Sequence, residues 1–256
     1  MRFSDALRGQ HRPHENPFID RFKGLLRPWL NHLPGRRPVA PSWQRSLTLL
    51  DRYGLAPATV FDVGVAFGTY PLYRAFPDAF YHLIDPTPES LHYMKRLSRE
   101  LRCEVHSVAL GDRDDETTIE IRPDIQAATL FEDQGARDVV RHDVVPLRRF
   151  DSLIGQFERP ALCKIDVQGA ELMVLQGMTE KLAEIDVVIV EASTLSTLKA
   201  GAELHDIVHF MHGHGFVVAD VLALVPRPLD GATGHIDLLF LPEDSALRAD
   251  RRWAPE

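Results

Sequence analysis

The chain predicts an α/β fold, a doubly wound and mostly parallel sheet of seven strands with helices on both faces, and three patterns carry that expectation. Short apolar, β-branched runs recur and end in an acidic residue, at Asp62, Asp85, Asp166 and Glu191. Runs of this kind suit strands buried on both faces, as parallel strands are. Segments with helical periodicity separate them, which is the alternation that builds crossover connections. Near the end, residues 216–221 and 235–241 read as a closing antiparallel pair with the last strand reversed.

At 256 residues, with 45% hydrophobic and 26% charged content, the chain can bury the core of one ordinary domain. The first 45 residues stand apart as a basic extension, with Arg2, Arg8, Arg12, Arg21, Lys23, Arg27, Arg36 and Arg37 against Asp5, Glu15 and Asp20. The domain proper is expected over residues 46–256. Within the extension, Phe18, Phe22, Leu25, Leu26 and Trp29 fall at helical spacing, predicting an amphipathic helix from Asn16 to Leu30 that Pro28 kinks or ends. Its apolar stripe is read as capping the core in preference to peripheral contact with an anionic membrane. A net charge of -8 argues against a nucleic-acid partner. Cys103 and Cys163 both fall in predicted strands, so no disulfide framework and no metal cluster is expected, and a reducing, cytoplasmic setting fits. No run approaches the roughly 18 apolar residues of a membrane span, and the N-terminus lacks a signal peptide's apolar segment.

A helix from Ser42 to Tyr53 precedes the first strand, where Val60, Phe61 and Val63 run into Gly64 and Gly68. Asp62 stands at the carboxyl end of that strand, the end at which open α/β sheets bind ligands. About 20 residues on, residues 81–86 repeat the pattern and close on Asp85 and Pro86, the spacing used to hold ribose hydroxyls. The glycines are spaced G-x-x-x-G, not the G-x-G-x-x-G that brings amides against a pyrophosphate. A carboxylate at Asp62 repels a diphosphate and suits a ligand with a cationic amino acid group, which S-adenosylmethionine has. Asp62 with Gly64, Val65, Ala66 and Gly68 is assigned to the methionine end, Asp85 and Pro86 to the ribose, and Ala109 and Leu110 to the adenine.

Thr87 is placed to cap a helix running through Arg99 with Leu91, Met94 and Leu97 inward. Residues 103–110 are expected as a third strand. Residues 117–121, 127–131 and 144–147 read as additional strands, so the segment 111–149 is an insertion beside the pocket in place of a crossover helix. The fourth strand, 161–166, holds Lys164 on the same side as Asp166, so a buried Lys164 needs an anion from Asp62, Asp166 or Glu191. A helix with Leu172, Leu175 and Leu182 inward follows, then a fifth strand over 186–191. A further helix runs from Ala202 to Gly213. Its histidines, His205, His209, His212 and the following His214, lack an H-E-x-x-H pattern and are read as exposed; His235, which begins the last strand and is placed where it could face the pocket, is read as structural.

The stretch Asp62 to Gly68, the Asp85-Pro86 pair, the segment Lys164 to Glu171 (Lys-Ile-Asp-Val-Gln-Gly-Ala-Glu), residues 174–177 and the pair Val190-Glu191 resemble the FkbM-type methyltransferases. The resemblance covers about Val60 to Ser193. It departs at Ala66, where Asn is common, and at Asp85 and Gln168, where Glu is common. It implies a class I, Rossmann-like methyltransferase that moves a methyl group from S-adenosylmethionine to a hydroxyl of a sugar, glycan or natural product. Asp166 is the first expectation for the base and Glu191 the second, with Lys164 as the buried cation that keeps them ionised. The alternatives are a nucleotide-binding oxidoreductase, disfavoured by the glycine spacing and the lack of a Tyr-x-x-x-Lys pair, and a non-catalytic S-adenosylmethionine-binding protein.

Overall fold

The computed structural model describes residues 40–133 and 138–253, and the basic helix expected between Asn16 and Leu30 lies outside them. In chain order the first elements are α1 Trp43–Arg52, β1 Thr59–Val63, α2 Tyr70–Ala75, β2 Phe80–Ile84, α3 Pro88–Leu97, β3 Arg102–His106, β4 Ala109–Leu110 and β5 Asp115–Ile121. After them come β6 Arg141–Arg148, α4 Phe150–Leu153, β7 Ala161–Ile165, α5 Glu171–Gln176, β8 Val187–Ser193, α6 Leu204–Gly213, β9 Phe216–Pro226 and β10 Thr233–Pro242. The main sheet has seven strands in the order β3-β2-β1-β7-β8-β10-β9, and only β10 is reversed, as the sequence predicts.

Its centre is β1 and β7, each buried at every position, which is why their sequences are almost continuously apolar. Alternate side chains feed two cores. Phe61, Cys163, Val174, Leu175 and Phe240 pack on one face, and Val60, Leu72, Tyr81, Met94, Leu162 and Ile189 on the other. Each such side chain contributes roughly 1.5 to 3 kcal/mol on burial, so the central strands are fixed far more strongly than the loops at their ends. α3 begins as expected, with Pro88 in its first turn and the Thr87 hydroxyl accepting from Ser90 N at 3.2 Å. α1 is held to β9 by Arg45, whose guanidinium donates to both oxygens of Asp220 at 2.7 and 2.9 Å.

Three local expectations are corrected. The run 103–110 is not one strand: β3 ends at His106, and β4 leaves the main sheet to pair with β6 in a second sheet ordered β4-β6-β5. An apolar pattern reads the same whichever sheet receives it. The strand expected at 127–131 is instead a 3₁₀ turn, Ile125–Ala127, plus one bridge between Glu120 and Thr129. The Asp124 carboxylate accepts from Gln126 N at 3.1 Å, the side-chain mimicry by which Asp favours a turn. Finally, α5 stops after six residues and Leu182 opens a separate 3₁₀ turn. At Gly177 the chain passes so close to Gly111 that a Cβ would lie 1.9 Å from its carbonyl oxygen, which leaves no room for a continuing side chain row. Among the described residues no helix is long and apolar enough to cross a membrane.

Candidate active site

Parallel pairing brings the carboxyl ends of β2, β1, β7 and β8 to one edge, and a cavity of about 360 Å³ opens there. Gly64, Val65, Ala66, Gly68, Asp85, Pro86, Ala109, Leu110, Lys164, Asp166 and Glu191 all line it. Gly64 is required by two constraints at once: its φ is 80°, and a Cβ there would sit 1.7 Å from the Asp166 carbonyl oxygen. Only glycine lets the turn after β1 lie against the end of β7.

Asp85 is buried, and its oxygens accept from Ala66 N at 3.0 Å, Thr87 N at 2.9 Å and the Thr87 hydroxyl at 2.8 Å. A carboxylate has about four acceptor positions, so one remains for a donor in the cavity. That fits a ribose hydroxyl and also ties the ribose-side acid to the glycine turn.

Asp62 departs from its assignment. It is 0% exposed and does not line the cavity; Thr69 Oγ1 donates to it at 2.9 Å, Tyr73 OH at 2.5 Å, and Lys164 Nζ lies 3.4 Å away. Its side chain is engaged by Thr69, Tyr73 and Lys164, so it braces the glycine turn from outside the cavity wall. Burial, reinforced by Asp62, pushes the Tyr73 phenol well above its ordinary value, so Tyr73 stays a donor.

Lys164 is buried, and it meets two of its three candidate anions: Asp62 at 3.4 Å and Asp166 at 3.6 Å. Its ammonium also donates to Gly64 O at 2.6 Å and Val63 O at 3.3 Å. Burial opposes the charge, but Asp166 and Asp62 outweigh it and lift Lys164 to about 12.

Asp166 and Glu191 are brought together by a residue the sequence reading did not use in this way. Gln168, at a positive φ of 54°, donates its amide to Asp166 Oδ1 and to Glu191 Oε2, both at 2.9 Å. One NH₂ group serves two carboxylates, one hydrogen each. Glu191 is 16% exposed, and His235 Nδ1 lies 3.3 Å from the same Oε2. Burial first, and then the charge of Asp166, raise Glu191 above the ordinary carboxylate range; the Glu191 contact in turn raises His235. The role of His235 is invisible without the pairing of β10 against β8, which seats it opposite Ser193 beside the acid edge.

Two further residues hold this loop. Glu171, also overlooked, accepts from Val167 N and Gly169 N at 3.0 Å, and Thr129 of the insertion donates to Gln168 O at 2.7 Å. The insertion therefore forms part of the wall: Ile119 and residues 124–130 line the cavity. His205, His209, His212 and His214 are exposed on or just after α6, away from this edge.

A parallel sheet with one reversed strand, a glycine turn after β1, an acid at the end of β2 and a cavity across those strand ends define a class I S-adenosylmethionine-dependent methyltransferase. Comparison of the sequence with protein families narrows this: the Methyltransferase FkbM domain matches residues 62–218. The chain belongs to the FkbM methyltransferase family, and its cofactor is S-adenosylmethionine. Among solved structures it is similar to the methyltransferase FkbM from Methylobacillus flagellatus KT, with 17% identity and a TM-score of 0.50 over 78% of this chain and 48% of that one. It thus spans about half the length of that relative. It is also similar, at 11% identity and a TM-score of 0.45 over 88% of this chain and 91% of that one, to the magnesium protoporphyrin IX methyltransferase from Synechocystis PCC 6803 with bound SAM. None of the curated proteins matches it in sequence.

Proposed function

We propose that the chain methylates a hydroxyl of a sugar, glycan or natural product, with Glu191 receiving the hydroxyl proton. When bound, S-adenosylmethionine supplies an electrophilic methyl group on a sulfonium. What remains for the protein is to align an acceptor oxygen and accept its proton as the oxygen attacks. The observation that carries the reading is the Glu191 carboxylate: it lines the cavity, its proton affinity is raised, and Gln168 and His235 hold it in one orientation.

Asp166 comes first on sequence grounds, but its surroundings favour Glu191. Both Asp166 oxygens are already engaged, Oδ2 facing the Lys164 ammonium at 3.6 Å and Oδ1 accepting from the Gln168 amide at 2.9 Å, which leaves it poorly placed to meet an acceptor hydroxyl. Glu191 has no lysine or arginine at that distance among the described residues. In this scheme Asp166 orients Gln168 and, with Ala66 and Gly68, faces the methionine end of the cofactor; Ala109, Leu110 and Pro86 flank the adenosine.

The reading is tested by incubating the protein with isotopically labelled S-adenosylmethionine and a panel of hydroxyl- and amine-bearing acceptors. Transfer to oxygen, located by NMR of the product, is the expected result. Transfer confined to nitrogen or carbon would overturn it, because such acceptors do not call for the same base.

A further inference from the structure

The lateral edge of the main sheet at β3 carries a side-chain cluster for which methyl transfer has no use. β3 is the edge strand, and its parallel pairing with β2 places His82 opposite Glu104 and Ile84 opposite His106. Alternate residues of a strand share a face, so His82, Glu104 and His106 all project from the same side of the sheet. His82 Nδ1 and His106 Nε2 are 3.1 Å apart, and the Glu104 carboxylate approaches them at 3.8 and 3.9 Å. One ligand atom from each of the three lies within 4.8 Å of the others.

We propose that His82, Glu104 and His106 form a site for zinc or a zinc-like divalent cation. Zinc bonds to nitrogen and oxygen of about 2.0 to 2.2 Å in a tetrahedron place neighbouring ligand atoms about 3.4 Å apart. The two nitrogens, 3.1 Å apart, stand close to that value, and a turn of the exposed Glu104 side chain, which now offers one oxygen to each ring, would bring a single oxygen to both and complete a chelate. The donor set is also of the right character. Two imidazoles and one carboxylate are the mixed nitrogen and oxygen set that zinc accepts, with a fourth position left for water.

The ligands are partly ordered in advance. The His82 ring stacks on Phe61 at 4.9 Å and 14°, and Phe80 meets its edge at 5.3 Å and 70°. A hydrogen bond between two neutral imidazoles explains the histidine pair but leaves Glu104 unexplained, since its oxygens stand beyond hydrogen-bond reach of both rings. The position has a consequence for the cofactor cavity as well: the backbone carbonyl of His106 accepts from Asp85 N at 3.1 Å. A cation clamping β3 to β2 would brace the strand end that carries Asp85.

The test uses the full chain, stripped with a chelator and titrated with zinc by calorimetry, with cobalt(II) absorption reporting a tetrahedral nitrogen and oxygen site. Glu104→Gln changes a side chain that is 60% exposed, so it leaves the fold intact; His106→Gln is the second variant. His205→Gln controls for the exposed pair His205 and His209 on α6. The wild type and His205→Gln should bind one equivalent, with affinity lowered at least about tenfold in Glu104→Gln and His106→Gln, the lower bound of what even an outer ligand partner is worth. Absence of zinc binding in the wild type, unchanged affinity in the two cluster variants, or loss in His205→Gln would each overturn the proposal.

Discussion

Two carboxylates of similar intrinsic acidity, Asp166 and Glu191, share one amide donor, and their other neighbours separate their roles. Glu191→Gln should lower kcat by about 10² to 10⁴, the usual worth of general-base assistance, while S-adenosylhomocysteine affinity by calorimetry stays within a few fold. Because burial raises the Glu191 carboxyl, turnover should fall as pH drops through a value above the ordinary carboxylate range, and the variant should lose that limb of the profile. A profile unchanged by the substitution would remove Glu191 from the reaction. Lys164→Met should cost about 3 to 5 kcal/mol in urea unfolding, because Asp62, fully buried, loses its cation. The need of Lys164 for an acidic partner was legible in the sequence, since its strand leaves it no way out of the core. The fate of Asp62 was not. Thr69 and Tyr73, which occupy its oxygens, belong to the turn and helix beyond the glycines, and no strand periodicity predicts that they fold back beneath it.

At the scale of elements, the loop between β7 and α5 depends on Glu171, whose carboxyl burial raises to about 7 although the amide of Gly169 pulls it down. An unfolded glutamate titrates near 4.3, so the protonated form favours the fold. Its contribution is complete below about pH 4 and is lost as pH rises through about 7. Glu171→Gln mimics the protonated group. Between pH 5 and 8 the wild type should therefore lose stability relative to this variant, by an amount on the order of 3 kcal/mol, read from urea midpoints. Parallel curves would contradict the assignment. The insertion was recognised as strand-rich from its alternation, and β5 and β6 are there, but its function as a cavity wall depends on β4 changing sheets. Only the three-dimensional pairing of Ala109 with Leu147 and of Leu110 with Arg148 shows that.

For the whole molecule, the strand sequence, the single reversed strand and the acid-lined edge were legible because each follows from a repeated local pattern: apolar run, acid, helix. Asp85 lines the cavity and is proposed as the point at which the sheet as a whole meets the cofactor. Asp85→Ala should weaken S-adenosylhomocysteine binding by about 1 to 3 kcal/mol, the worth of a charge-assisted hydrogen bond, and calorimetry against the wild type measures it. Unchanged affinity would place the ribose elsewhere. What the sequence did not disclose was the convergence on Glu191 of Gln168 from one loop and His235 from the last strand, and that convergence supports Glu191 as the proposed base. The most direct measurement is a crystal structure with S-adenosylhomocysteine bound. The predicted result is adenosine lying along Asp85, Ala109 and Leu110, with the sulfur opening onto the space beside Glu191. A sulfur directed away from Glu191, with another side chain facing the acceptor space, would contradict the proposed site of methyl transfer.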